Sequence, residues 1–333
     1  MPAAPPRALI FIVDGTLSRL DPGRETHAGA LMKLLTEGKA RSGLRVGYHP
    51  GVQGRGLRRW LSAASGLGLN EAICAGYAML ASRWRPGDRI YLFGYSRGAY
   101  AVRSLAGLID RVGLLRRGQA LERHVHRAFR LYREGDPDAA ARFARRHCHP
   151  RVDVEMIGVW DTVRALGLPY PILSRLHPMA TEFHDHALGG HIRNAFQALA
   201  LDEDRTAFAP VLWRLPAGFP GHVEQLWFPG AHADVGGEVG RMPAARPLAN
   251  LSAVWMLDRA EATGLPLPPG WRERFPIDPT APMLGCRRGL ARFFLLRRPR
   301  RVGAFDGEDL HPSVAERLER TAWRPRARGL AGD

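Results

Sequence analysis

The chain has 333 residues, 45% hydrophobic and 24% charged, enough to bury the core of one large α/β domain or two smaller ones and too apolar for a disordered segment. Its formal charge is +16, which raises nucleic acid or an anionic membrane surface as partners. Lys33 and Lys39 are the only lysines among 48 basic residues, and no nucleic-acid-binding motif accompanies the arginines, whose stems pair and pack within folds. No nucleic-acid partner is expected.

Cys74, Cys148 and Cys286 fit neither a zinc spacing nor a disulfide framework, so no metal or organic cofactor is expected. The start MPAAPPRALIFIVDG lacks the basic-then-apolar pattern of a signal peptide, and no apolar run reaches the length of a membrane span. A cytoplasmic protein is expected, with export by a route that needs no cleaved signal left open.

In chain order, ALIFIV (8–13) reads as a first strand closed by Asp14-Gly15-Thr16. The stretch 46–57, VGYHPGVQGRGL, reads as loop because glycine and proline punctuate it. NEAICAGYAMLASRW (70–84) has helical spacing with Asn70 as a cap. Pro86-Gly87-Asp88 then turns the chain into RIYLFGY, a short aromatic and β-branched strand. AYAVRSLAGLIDRVGLL reads as the next helix, and the arginine-rich stretch 119–149 as helical surface cover. VDVEMIGVWDTV (152–163) is a buried strand ending in Asp161, and HIRNAFQALALDEDR (191–205) reads as helix. VEQLWFPGAHADVGG (223–237) runs from a strand into a loop with His232 and Asp234, and NLSAVWMLDRAEATG (250–264) is an amphipathic helix ended by Gly264. Strands alternating with helices predict an α/β fold, α/β-hydrolase-like, with a mostly parallel central sheet and helices on both faces. From about residue 265 no sheet pattern is visible.

The pentapeptide Gly94-Tyr95-Ser96-Arg97-Gly98 lies between a strand and a helix, the context of a serine nucleophile raised on a sharp turn. A serine hydroxyl needs a base, and the base needs a carboxylate to fix its tautomer. Ser96, Asp161 and His232 occur in the order Ser-acid-His, each directly after a strand-like run. Asp234 is an alternative acid and His311 in DLHPSV an alternative base. The backbone amide of Arg97 is the expected oxyanion donor, with a second expected from the Asp14-Gly15-Thr16 loop near Gly15, held by Asp14. That loop is similar to an aspartyl phosphotransfer motif, but Ile12 stands where its first aspartate is required, and no P-loop is present.

The segments FIVDGT, YHPGVQG, RPGDRIYLFGYSRGAYAVRSLAGLI, IGVWDTV, ALALDEDR, LWFPGAHADVGG and LHPSV together resemble the family called domain of unknown function 2235. This α/β-hydrolase group includes phospholipase effectors of bacterial type VI secretion. The resemblance implies a serine esterase with Ser96 as nucleophile, Asp161 as acid and His232 as base. In some members it implies a phospholipase delivered into rival bacteria and neutralised by an immunity protein. Two departures stand out: Glu238 follows the Val-Gly-Gly run where the family often continues with glycine and an aromatic residue, and the large extra domain of the membrane-attacking effectors is missing. Residues 1–265 are expected to form the hydrolase domain, and 266–333 a basic, Pro/Arg-rich extension packed on or near it.

Within that extension, RRGLARFFLLRRPRR (287–301) reads either as a final helix packed on the core or as an amphipathic element at an anionic membrane surface. The function expected from all this is a serine carboxylic-ester hydrolase, lipase or phospholipase, working through an acyl-enzyme. A thioesterase or peptidase with the same triad and a non-catalytic scaffold of hydrolase shape are the alternatives.

Overall fold

Runs such as ALIFIV carry apolar residues at every position, the pattern of a strand covered on both faces. The computed structural model describes residues 7–16, 18–37, 43–51, 67–163, 188–287, 294–305 and 307–330. In it β1 (Ala8–Val13), β2 (Leu44–His49), β3 (Arg89–Tyr95), β4 (Met156–Trp160), β5 (Asn194–Ala200), β6 (His222–Phe228) and β7 (Glu308–Leu310) form one sheet. Its order is β2-β1-β3-β4-β5-β6-β7, with every described pairing parallel. This is the α/β sheet the sequence predicts.

Side chains alternate between two cores, as the pleat demands. Leu9, Phe11, Val13 and Leu92 pack against α2 (Leu67–Arg83), α3 (Arg97–Val112), α4 (Glu122–Glu134) and α5 (Pro137–His147). Ile10, Ile12, Tyr91 and Phe93 face α1 (His27–Thr36) and α7 (Arg246–Ala262). Two shorter helices, α6 (His232–Val235) and α8 (Ser313–Arg320), lie at the carboxyl end of β6 and after β7. Among the described residues no helix is long and apolar enough to cross a membrane.

Strand order reverses between β1 and β3, the place beyond the carboxyl ends of the strands where open α/β sheets commonly carry their sites. Asp14-Gly15-Thr16 follows β1 and Ser96 follows β3. The two connections touch: a Cβ on Gly98 would lie 2.2 Å from the Val13 carbonyl oxygen and 2.5 Å from that of Asp14.

Four sequence expectations change. Residues 44–49 form the edge strand β2 rather than loop; Gly47 fits there because any Cβ would meet Met79 and Phe11 at under 3 Å. Residues 52–57 of that expected loop lie outside the described residues. Residues 191–205 contain β5, not a helix: the alanine-rich run has good helix propensity, but its place between β4 and β6 buries both faces and overrides it. Asn70 lies inside α2, which begins at Leu67, and so does not cap it.

The fourth change concerns the tail. β7 pairs with β6 through Glu308, Asp309 and Leu310, and Val314, Leu310 and Trp323 join Leu199 and Trp227 in a small core of their own. Residues 294–301 are not helical; they run as a strap with isolated bridges Arg205–Arg297 and Arg301–Arg328. Pro299 lacks an amide hydrogen, and several of the arginines point inward to carboxylates instead of facing water. Leu295 is 88% exposed and Leu296 58%; residues 288–293 of the same stretch lie outside the described residues.

The Gly98 contact predicts that Gly98→Ala loses about 2–3 kcal/mol of stability, since both neighbours are backbone carbonyls, one of them in β1, rather than side chains that can turn away. Gly118→Ala, with nothing within 4 Å of the added carbon, is the control. Chemical unfolding of both variants checks this, and a Gly98→Ala protein as stable as the control would contradict it.

Candidate active site

Ser96 follows β3 and precedes α3 with φ 58° and ψ −121°. A non-glycine residue in that region is strained, and only small neighbours leave room for the turn. A Cβ on Gly94 would meet the Gly98 carbonyl oxygen at 2.5 Å and Ala99 Cα at 2.7 Å. The pentapeptide is therefore a strand-to-helix elbow, with each glycine required by backbone contact. Among the described residues Ser96 and Asp161 are the non-glycine residues with positive φ.

The elbow serine, the β4-end aspartate and the β6-end histidine come together. His232 Nε2 lies 2.9 Å from Ser96 Oγ, and His232 Nδ1 lies 2.6 Å from Asp161 Oδ2. All three residues are buried. Tyr95 stacks on the imidazole at 4.9 Å and Phe208 meets it edge-on at 4.8 Å. The His232 amide donates to Glu203 Oε2 at 3.3 Å, and Glu203 is paired with Arg205. Burial pushes the His232 imidazole below its ordinary range, against the hydrogen bond and charge of Asp161, which pull it up.

Asp161 is partnered on both of its oxygens. It accepts from His232, from the Ala200 amide at 3.0 Å, and from both terminal nitrogens of Arg300 at 2.5 and 2.8 Å. Burial alone would raise the carboxyl, but the Arg300 charge and the His232 bond hold it well below the usual carboxylate range.

The Asp14 loop is ordered by its own aspartate. Asp14 accepts from the Gly15 amide, Ser18 Oγ, Thr26 Oγ1 and Tyr48 Oη, each at 2.7 Å. Burial pushes its carboxyl up while these four bonds pull it down. This corrects one expectation: the Gly15 amide is turned inward onto Asp14 and does not point to an oxyanion. Thr16 follows, and its buried hydroxyl has no hydrogen-bond partner among the described residues. Arg97 opens α3, where the first amides have no partner within the helix.

The alternative triad members lie elsewhere. Asp234 accepts from the amides of Ala231, Leu284 and Gly285 at 2.7–3.0 Å, binding its own loop to the C-terminal segment. His311 bonds Ser313 Oγ at 2.8 Å and stacks on Phe228 at 4.4 Å, and burial pushes its imidazole down to about 4. Neither is hydrogen-bonded to Ser96 or His232.

Glu203, Asp204 and Cys286 bring ligand atoms within 4.8 Å of one another. The carboxylates are already taken by arginine: Arg205 on Glu203, and Arg287, Arg297 and Arg326 on Asp204. Sequence reasoning missed Arg300, Glu203, Arg205 and Phe208 at this site. Arg300 carries no local signal, because it is one of several arginines in the same run.

A family model described as type VI secretion system (T6SS) phospholipase effector Tle1-like, catalytic domain, matches residues 7–259. YEL023C, an uncharacterized protein of Saccharomyces cerevisiae, is 30% identical over 227 residues, covering 60% of this chain and 32% of that protein. A structure of the Tle1 effector bound to the VgrG spike of the type 6 secretion system is 19% identical with a TM-score of 0.39, covering 71% of this chain and 52% of that one. An uncharacterized protein from Pseudomonas aeruginosa is 16% identical with a TM-score of 0.46, covering 82% and 49%. The chain spans about a third of the yeast protein and about half of each of these two structures. The family match runs from β1 into α7 and takes in Ser96, Asp161 and His232, and on it the chain belongs to the family described as T6SS phospholipase effector Tle1-like, catalytic domain.

Proposed function

We propose that this protein is a serine carboxylic-ester hydrolase acting on the acyl esters of lipids, phospholipids foremost. The observation that carries the reading is the hydrogen-bonded chain Ser96–His232–Asp161 at the carboxyl ends of three parallel strands. Membership of a phospholipase effector family supports the lipid substrate.

In this mechanism Ser96 Oγ attacks the ester carbonyl while His232 Nε2 takes its proton. Asp161 holds Nδ1 protonated and stabilises the imidazolium that forms. His232 then returns the proton to the leaving alcohol, and a water repeats the attack to free the fatty acid. The developing oxyanion is met by the Arg97 amide at the start of α3. The Asp14–Thr16 loop, which abuts the elbow at Gly98, supplies the second donor through Thr16. Asp14 acts by holding that loop.

Two outcomes are expected. Ser96→Ala loses fatty-acid release from mixed bacterial phospholipids by at least about a thousandfold and no longer takes a fluorophosphonate label. Release at the wild-type rate would end the proposal, and a folded wild-type protein that takes no label would point to a scaffold instead. Label without phospholipid turnover would keep the hydrolase and remove the substrate. The second outcome concerns pH. Catalysis needs neutral His232, and burial lowers its pKa, so the acid limb of kcat/KM falls below the ordinary histidine value of about 6.5. A limb above that value would contradict the assignment of the base.

A further inference from the structure

Arg300 lies beyond residues 7–259 of the family match, yet its guanidinium is buried against Asp161, with 3% and 0% of the two side chains exposed. Nη1 donates to Asp161 Oδ1 and the Ala200 carbonyl; Nη2 donates to Asp161 Oδ2 and the Phe208 carbonyl at 2.6 Å. Both terminal nitrogens therefore have all their hydrogens engaged, in the planar fork that matches a carboxylate. The backbone around Arg300 is held as well: the Arg328 amide bonds the Arg300 carbonyl at 2.8 Å, and the Arg298 amide bonds the Asp204 carbonyl at 2.6 Å.

We propose that Arg300 is a positioning residue of the active site, whose guanidinium fork fixes the Asp161 carboxylate and limits how strongly that carboxylate stabilises a protonated His232. The inference rests on the catalytic reading of Ser96, His232 and Asp161 given above. The Ala200 amide and His232 bond one oxygen of Asp161 each, and the fork holds both oxygens at once, which fixes the plane of the carboxylate. A buried ion pair is a weak source of stability. What the guanidinium adds is a full positive charge on the far side of the carboxylate. It shares the negative charge that would otherwise act on the imidazole alone, leaving His232 a weaker base that stays neutral into acid.

The other groups facing His232 are few. Glu203 accepts from its amide and is neutralised by Arg205; Tyr95 stacks on the ring and itself faces Asp14 and Glu238. None of these bonds either imidazole nitrogen. Glu203 and Arg205 act on the imidazole by charge in opposite senses, raising and lowering its basicity, while Asp161, held by Arg300, is the carboxylate bonded to the ring.

The test compares wild type with Arg300→Gln by NMR titration of ring-labelled histidines, His232 being identified by the signal lost in His232→Asn. The expected result is a rise of about one pH unit in the His232 midpoint. The acid limb of kcat/KM for p-nitrophenyl butyrate should rise by the same amount. A His232 midpoint unchanged in folded Arg300→Gln overturns the proposal and leaves Arg300 as a clamp for the tail. If Arg300→Gln does not fold, Arg300→Lys decides. Lysine keeps the charge but not the fork, so kcat should fall about tenfold at unchanged KM, and an unchanged kcat overturns the proposal. The two readings fail separately. An active wild type with an unmoved His232 removes only the role of Arg300, whereas a moved titration in a protein inert to esters removes the hydrolase and keeps the coupling.

Discussion

A carboxylate with no exposed surface has to find compensation for its lost hydration, and Asp161 obtains it from every direction. The Ala200 amide, the His232 ring and both arms of Arg300 converge on its two oxygens. These partners come from β5, from the helix after β6 and from the strap before β7. The ionised carboxylate is thus one of the points at which the carboxyl edge of the sheet and the C-terminal segment are joined. A second buried acid, Asp204, does similar work farther out, collecting Arg287, Arg297 and Arg326. Four arginines of the C-terminal segment thus serve two buried carboxylates.

The other constraint is steric. Gly94 and Gly98 let β3 and α3 meet at a tight turn, and Gly98 also lets the turn rest on the carbonyls of Val13 and Asp14. Asp14 then fixes the neighbouring loop from beneath with four hydrogen bonds. The elbow is braced by backbone and the loop by the Asp14 side chain, so Ser96 is held in its strained conformation from both sides.

The central strands were legible because β1, β3 and β4 are continuous apolar runs, and the elbow because its glycines sit at a strand-helix junction. His232 could be picked from 13 histidines by its strand-end, glycine-bounded loop. β5 was not legible: buried on both faces, it has no polar alternation, and its alanines favour helix until neighbouring strands claim them. β2 is an edge strand whose Gly47 looks like a breaker and is in fact a packing fit. β7 is three residues long and leaves no period to read. Arg300 was invisible for a different reason, since nothing local distinguishes one arginine from another when the partner lies 139 residues away.

That separation bears on when the protein becomes itself. Ser96, Asp161 and His232 all leave the ribosome before Arg300, and a contact spanning 139 residues is among the slower ones for a chain to close. A nascent chain ending after α7 holds the serine, the acid and the histidine but leaves Asp161 without the cation that compensates its burial. Asp161 therefore meets its full set of partners only once the segment after α7 has been made and has folded back onto the sheet.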